Sequence, residues 1–143
     1  MTLTVKQRRS IVAEAQSWLR TRYMHGCDVK GLEGGVDCAM LLVRVFCDLK
    51  LVPPIDPRPY AREWHLHHSE EKYLGWIKQY GVQVEVPQPG DIALYRIGLC
   101  VSHGAIVIDD NLVLHAWAES NCVEYRERRA LRKWLDSYWS VQV

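Results

Sequence analysis

The spacing of apolar positions divides this chain into a helical half and a strand-rich half. Near the start, Thr4 and Gln7 stand as a capping-box pair, and Ile11, Val12, Ala15, Trp18 and Leu19 recur at i, i+1, i+4, i+7 and i+8. That spacing predicts an amphipathic helix. After a glycine-rich stretch, Asp37 suits an N-cap, and Leu41, Leu42, Val45, Phe46 and Leu49 form the buried stripe of a second helix that stops before Pro53-Pro54. The segment "PPIDPRPYAREWHLHH" is aromatic and punctuated by proline, and Glu70 to Tyr80 reads as a short third helix ended by Gly81. From Val82 the period falls to two: "VQVEV", "IALYRI", "SHGAIVI", "LVLHAW" and "CVEYR" read as short strands, with a turn at "PQPGD". The last run, "ALRKWLDSYW", spaces Leu131, Trp134, Leu135 and Tyr138 as a helix would, and predicts one, with "SVQV" adding a short edge strand. Helices first and a meander afterwards give an α+β domain, its helices packed on one face of an antiparallel sheet.

The 143 residues suit one domain over 1–143, with about 53–81 as an insertion or lid-like connection. Apolar residues at 48% and charged residues at 24% are ordinary for a globular chain, and a formal charge of +1 gives no footprint for nucleic acid. The N-terminal stretch is interrupted by charges and lacks a small-residue cleavage site, so neither a secretory signal nor a membrane span is expected. Five cysteines without framework spacing are expected to be reduced thiols in a protein made in the cytoplasm.

Within "GGVDCAMLLVRVF", Cys38 falls in the first turn of the second helix. There, unpaired N–H groups and the helix dipole favour a thiolate, and the cysteine's own N–H suits an oxyanion. The plainer reading is a small buried hydrophobe. A nucleophile needs a base, and the strands carry His103 and His115. Alternation makes the connection between their strands decisive. A two-residue turn at Asp110-Asn111 pairs 103 with 118 and separates the histidines. A three-residue loop, Asp109-Asp110-Asn111, pairs 105 with 115 and makes them diagonal neighbours on one face. The longer loop is expected, with Asn111 taking the left-handed conformation at its end. On that face His103 acts as general base to Cys38 and His115 orients it. Ala105 and Val107 would then pack on the Cys38 helix, leaving Ile106, Ile108, Leu112 and Leu114 to a second apolar layer.

The ordered motifs "VDCAMLLV", "QPGDIALYR", "SHGAIVID" and "LHAW" resemble the NlpC family of cell-wall cysteine peptidases, a compact papain-like group. The resemblance runs from about Tyr23 to about Tyr125 and implies Cys38, His103 and His115 as the catalytic set, supported by Asp37, with Tyr23 of "TRYMHGCDVKG" beside the nucleophile. Met24-His25-Gly26 stands where the family usually has a tryptophan and paired glycines, and Ala39-Met40 where Ser-Gly often follows the cysteine. The implied reaction is hydrolysis of an amide in peptidoglycan stem peptides, commonly between γ-D-glutamate and a diamino acid, without metal or organic cofactor. The insertion resembles the branch encoded in phage tail gene clusters. That implies a virion-tail location and a tail hub or tip protein as partner.

Three rival readings stand beside it. A metal site would draw on His65, His67, His68, Cys27 and His25, but neither a Cys-x-x-Cys pair nor a helical His-x-x-x-His is present. Cys47, Cys100 and Cys122 read as core or near-surface thiols. A catalytically silent structural protein of the tail tip would keep the fold and use only its surface. In either case Tyr60, Trp64, Tyr73 and Trp76 of the insertion would cover the cleft, bind a tail hub protein or fill the core, with core and partner contact favoured. Another acyl chemistry, an amidase or acyl transfer, would use the same residues.

Overall fold

A computed structural model describes residues 1–58, 60 and 72–143. Trp64, Glu70, the cluster His65, His67 and His68, and much of the 53–81 insertion lie outside the described residues. Helix α1 (Val5–Gln16) opens on the expected capping box: Thr4 Oγ1 accepts from the Gln7 N–H at 3.1 Å and Gln7 Oε1 accepts from the Thr4 N–H at 2.8 Å. It buries Ile11 and Ala15, with Trp18 buried just beyond its end. A hairpin of two-residue strands, β1 (Asp28–Val29) with β2 (Gly35–Val36), leads into α2 (Cys38–Asp48). Leu41, Leu42, Val45 and Phe46 are buried as expected, while Leu49 is the C-cap and only half-buried. The helix is stopped by Lys50 at φ 59°, with the Leu51 N–H donating to the Phe46 carbonyl at 3.0 Å, a left-handed closure made here without glycine.

Helix α3 (Lys72–Tyr80) runs directly into β3 (Gly81–Val84). Strands β4 (Ile92–Ile97), β5 (Cys100–Val107), β6 (Leu112–Trp117) and β7 (Cys122–Glu127) form the expected meander. The Pro-Gly-Asp turn anchors its start. Gly90 takes φ 89°, its N–H donates to the Val107 carbonyl at 2.8 Å, and buried Asp91 accepts from Arg8 of α1 at 2.7 Å and from the Gln88 N–H at 2.8 Å.

The C-terminal segment departs from the expected helix. Only α4 (Arg128–Leu131) and a single 3-10 turn (Arg132–Trp134) are helical, and Leu135 begins β8 (Leu135–Val141). Nor is β8 an edge strand. The sheet order is β3-β8-β4-β5-β6-β7, with all neighbours antiparallel, so β8 lies between β3 and β4. Ser137, Trp139, Ser140 and Val141 are all buried, as an interior strand requires. To reach that place from β7 the chain crosses one face of the sheet, and Leu131, Trp134, Leu135 and Tyr138 pack there on Ala93, Tyr95, Ala105, Val107 and Val113. The three longer helices pack on the other face, where Ile106 and Leu114 join Met40, Leu41, Leu42 and Val45 in the main core. Each such buried side chain contributes roughly 1.5–3 kcal/mol of transfer free energy.

The face assignment made from alternation is therefore inverted. Ile106 and Leu114, not Ala105 and Val107, meet α2. Sequence alternation states which residues share a face but not which face a helix covers.

Candidate active site

The loop between β5 and β6 has the length on which the histidine pair depends. Val107 pairs with Val113, and the Ile108 N–H donates to the Leu112 carbonyl at 2.9 Å, leaving Asp109, Asp110 and Asn111 as a three-residue loop. Asn111 is not in the left-handed region, contrary to expectation. The turn is instead made by Asp109, whose Oδ1 accepts from the N–H groups of Asn111 and Leu112, both at 2.8 Å. The resulting register brings His103 and His115 together, Nε2 to Nδ1, at 2.8 Å.

Aromatic rings hold the pair. Trp117 stacks on His115 at 5.1 Å and 12°, and meets His103 edge-on at 4.9 Å; Tyr95 of β4 lies 5.8 Å from His103. His115 is fully buried and His103 is 5% exposed. Burial, followed by the presence of His115, holds the His103 imidazole well below its ordinary pKa. Burial also lowers His115, partly offset by a hydrogen bond and charge from Glu124. Both rings are neutral at pH 7.

Glu124 was not singled out in the sequence. It stands directly across from His115 in the β6–β7 register, and its Oε2 lies 3.0 Å from His115 Nε2. Arg126 donates to the same oxygen from Nε at 2.9 Å. Burial alone would raise the Glu124 pKa, but hydrogen bonds from Ser120, His115 and Arg126 outweigh it and hold the group as a carboxylate. The signal available in the sequence was the register itself, once the turn after Trp117 is placed.

Cys38 is the first residue of α2, half-buried, and its Sγ lies against the β5 backbone, donating to the Ser102 carbonyl at 3.7 Å. Burial, and then the charge of Asp37, push the thiol up to about 12 even though the N–H groups of Cys38, Ala39 and Gly104 favour the thiolate. The thiol thus touches the backbone on either side of His103 in sequence.

Asp37 caps α2 as expected, its Oδ1 accepting from the Met40 N–H at 2.9 Å. Its Oδ2 accepts from the Gly26 N–H at 2.7 Å and from the Tyr60 hydroxyl. Tyr60 meets His25 edge-on at 5.3 Å and lies 6.4 Å from Trp76, so the start of the insertion is tied over the N-terminus of α2. Tyr23 pairs through its backbone with Val36, two residues before Cys38, and burial, then the bond to Asp37, hold the Tyr60 phenol above its ordinary pKa.

No protein-family model matches the sequence, and no curated protein matches it. Solved structures do resemble the fold. The NlpC/p60 domain of the peptidoglycan hydrolase SagA matches with a TM-score of 0.63 at 18% identity, over 95% of this chain and 98% of that one. The peptidoglycan hydrolase RipB from Mycobacterium tuberculosis matches with a TM-score of 0.62 at 16% identity, over 99% of this chain and 70% of that one. A lipoprotein-like NLP/P60 protein from Staphylococcus aureus matches with a TM-score of 0.67 at 18% identity; all of this chain is covered, but only 44% of that protein. With helices stacked on one face of an antiparallel sheet and a cysteine opening the helix against its central strands, the chain has the α+β fold of an NlpC/p60 domain.

Proposed function

We propose that the chain is a cysteine peptidase that hydrolyses an amide bond in peptidoglycan stem peptides, with Cys38 as nucleophile, His103 as base and His115 as its orienting partner. Two arrangements on an NlpC/p60 fold support this reading: a thiol at a helix N-terminus against the β5 backbone at Ser102 and Gly104, and a buried imidazole pair whose first member, His103, is the residue between those two in sequence. Because thiol and imidazole are both neutral at rest, the proton leaves sulfur for His103 as sulfur attacks the carbonyl carbon. The oxyanion takes the helix-terminal N–H groups. The C–N bond then breaks, His103 returns the proton to the leaving amine, and water hydrolyses the thioester to a free carboxylate and the thiol. Asp37 and Tyr23 support the site by fixing the helix start and the strand before it.

The narrower reading gives the scissile bond as γ-D-glutamyl–diamino acid and the setting as a phage tail, with a hub or tip protein as partner. The bond rests on the resemblance of the ordered motifs to the NlpC family, and the setting and partner on that of the insertion to its phage-tail branch. A silent structural role is favoured by one feature, the Cys38 thiol pushed up to about 12. Digestion of purified disaccharide-peptides from diaminopimelate-type and lysine-type walls separates the readings. Products made by the native chain and lost in Cys38→Ala, with masses that name the bond, are expected. Intact fragments with both folded proteins would leave the structural role standing.

A further inference from the structure

Three hydrogen-bonding pairs stand in line across β5, β6 and β7: His103 Nε2 with His115 Nδ1 at 2.8 Å, His115 Nε2 with Glu124 Oε2 at 3.0 Å, and Glu124 Oε2 with Arg126 Nε at 2.9 Å. Each imidazole nitrogen in that line faces one partner, so the protons can be assigned from the end whose chemistry is fixed. Arg126 only donates, and an ionised Glu124 only accepts. His115 Nε2 must therefore carry a proton. A neutral His115 then has its lone pair on Nδ1, which accepts from a proton on His103 Nε2, and a neutral His103 is left with its lone pair on Nδ1. The reverse assignment would set the bare Nε2 of His115 against the carboxylate, two lone pairs at 3.0 Å.

We propose that Glu124 is a positioning residue that acts through His115 to hold His103 in its Nε2–H tautomer, so that Nδ1 is the basic nitrogen offered to the reaction. The inference deepens the peptidase reading and rests on it for the meaning of the lone pair, though not for the tautomer itself. The surroundings support a directed role over a simple surface ion pair. The Glu124 side chain is 21% exposed, whereas the His115 side chain it meets is wholly buried. Arg126, which bonds the carboxylate, lies over the Trp117 ring at 5.9 Å, and that ring stacks on His115, so the group that fixes Glu124 rests on the ring that fixes the imidazole.

The test is nitrogen-15 NMR of the full chain labelled at histidine, with His103 and His115 assigned through His115→Gln and the other histidines through single substitutions. The native chain is expected to show a pyridine-like Nδ1 and a pyrrole-like Nε2 on both residues. Glu124→Gln, whose Oε1 still accepts, is expected to retain that pattern. Glu124→Leu is expected to populate the reversed tautomer at His115 and His103, and to lower kcat about 100-fold on the stem peptide with KM nearly unchanged. Should Glu124→Leu not fold, the native spectrum still decides: Nδ1–H at either ring overturns the proposal. A folded Glu124→Leu with native tautomers and native kcat overturns it as well. A chain with the expected tautomers but no peptidase activity would instead strike only the functional reading.

Discussion

Asp37 holds a negative charge one residue from the sulfur while both of its oxygens are committed, to the Met40 N–H on one side and to the Gly26 N–H and Tyr60 hydroxyl on the other. It stabilises the helix start and at the same time opposes the thiolate. These two effects are separable by substitution. Asp37→Ala is expected to cost about 1–2 kcal/mol in urea unfolding, as loss of an N-cap does. Asp37→Asn retains an accepting oxygen and removes the charge, so Cys38 should be alkylated several-fold faster than in the native chain. With its thiol pushed up to about 12, native Cys38 should react with iodoacetamide at pH 7.5 on the order of 100-fold more slowly than a free thiol, followed by peptide mapping. Reaction at the free-thiol rate would show a stabilised thiolate. The positions of the candidate residues were legible because helix-start and strand geometry are local: Cys38 and Asp37 stand at a glycine-to-helix boundary, and alternation brings His103 and His115 to one face. Glu124 was not, since its meaning comes from the residue across the ladder.

Among the elements, the β5–β6 connection was read correctly in length and incorrectly in cause. Three residues are needed to keep both histidines on one face, and the chain meets that need through the Asp109 carboxylate rather than a left-handed Asn111. Asp109→Ala should therefore loosen the turn and cost about 1 kcal/mol, whereas Asn111→Ala should cost little. The C-terminal strand was hidden by a coincidence of spacing. Leu131, Trp134, Leu135 and Tyr138 sit at helical intervals because a helical turn, a 3-10 turn and a strand each bring one or two of them to the same face of the sheet. At the start of the meander, Asp91 is buried with Arg8 as its ion partner, and Asp91→Ala should cost about 3 kcal/mol by leaving the guanidinium without its carboxylate. Lys50, left-handed at the end of α2, offers the opposite case: Lys50→Gly should stabilise by roughly 0.5–1 kcal/mol.

For the whole molecule, the neutral buried groups of the site set limits on stability at both ends of the pH scale. The native imidazoles of His103 and His115 hold protons less readily than unfolded ones. Below about pH 6.5 the unfolded chain therefore takes up protons that the folded chain refuses, and stability falls by up to about 1.4 kcal/mol per pH unit for each histidine. Above pH 9 the sign reverses in effect: an unfolded Cys38 ionises while the folded thiol keeps its proton to about 12, so stability falls as pH rises. Urea midpoints measured from pH 5 to 10 should peak between about 7 and 8.5. Cys38→Ala should flatten the limb between 9 and 10, before Tyr60 and Tyr95, both raised by burial, begin to contribute. An unchanged alkaline limb in that variant would show that the thiol is not the desolvated group described here.

The place of β8 has a consequence for the order of events when the chain is synthesised. Strands β4 to β7 can zip as each leaves the ribosome, but β3, made long before them, has no partner until residues 135–141 arrive to separate it from β4. Its pairing joins Gly81 to Val141, a loop closure some sixty residues long, and the crossing that precedes β8 must lie down over the Tyr95 and Val107 face in the same step. A ribosome stalled short of β8 should therefore display a protease-resistant meander with a helix pair beside it and a cleavable β3. Resistance should spread to β3 only once the last strand is free, making the final seven-residue strand the timer of the fold.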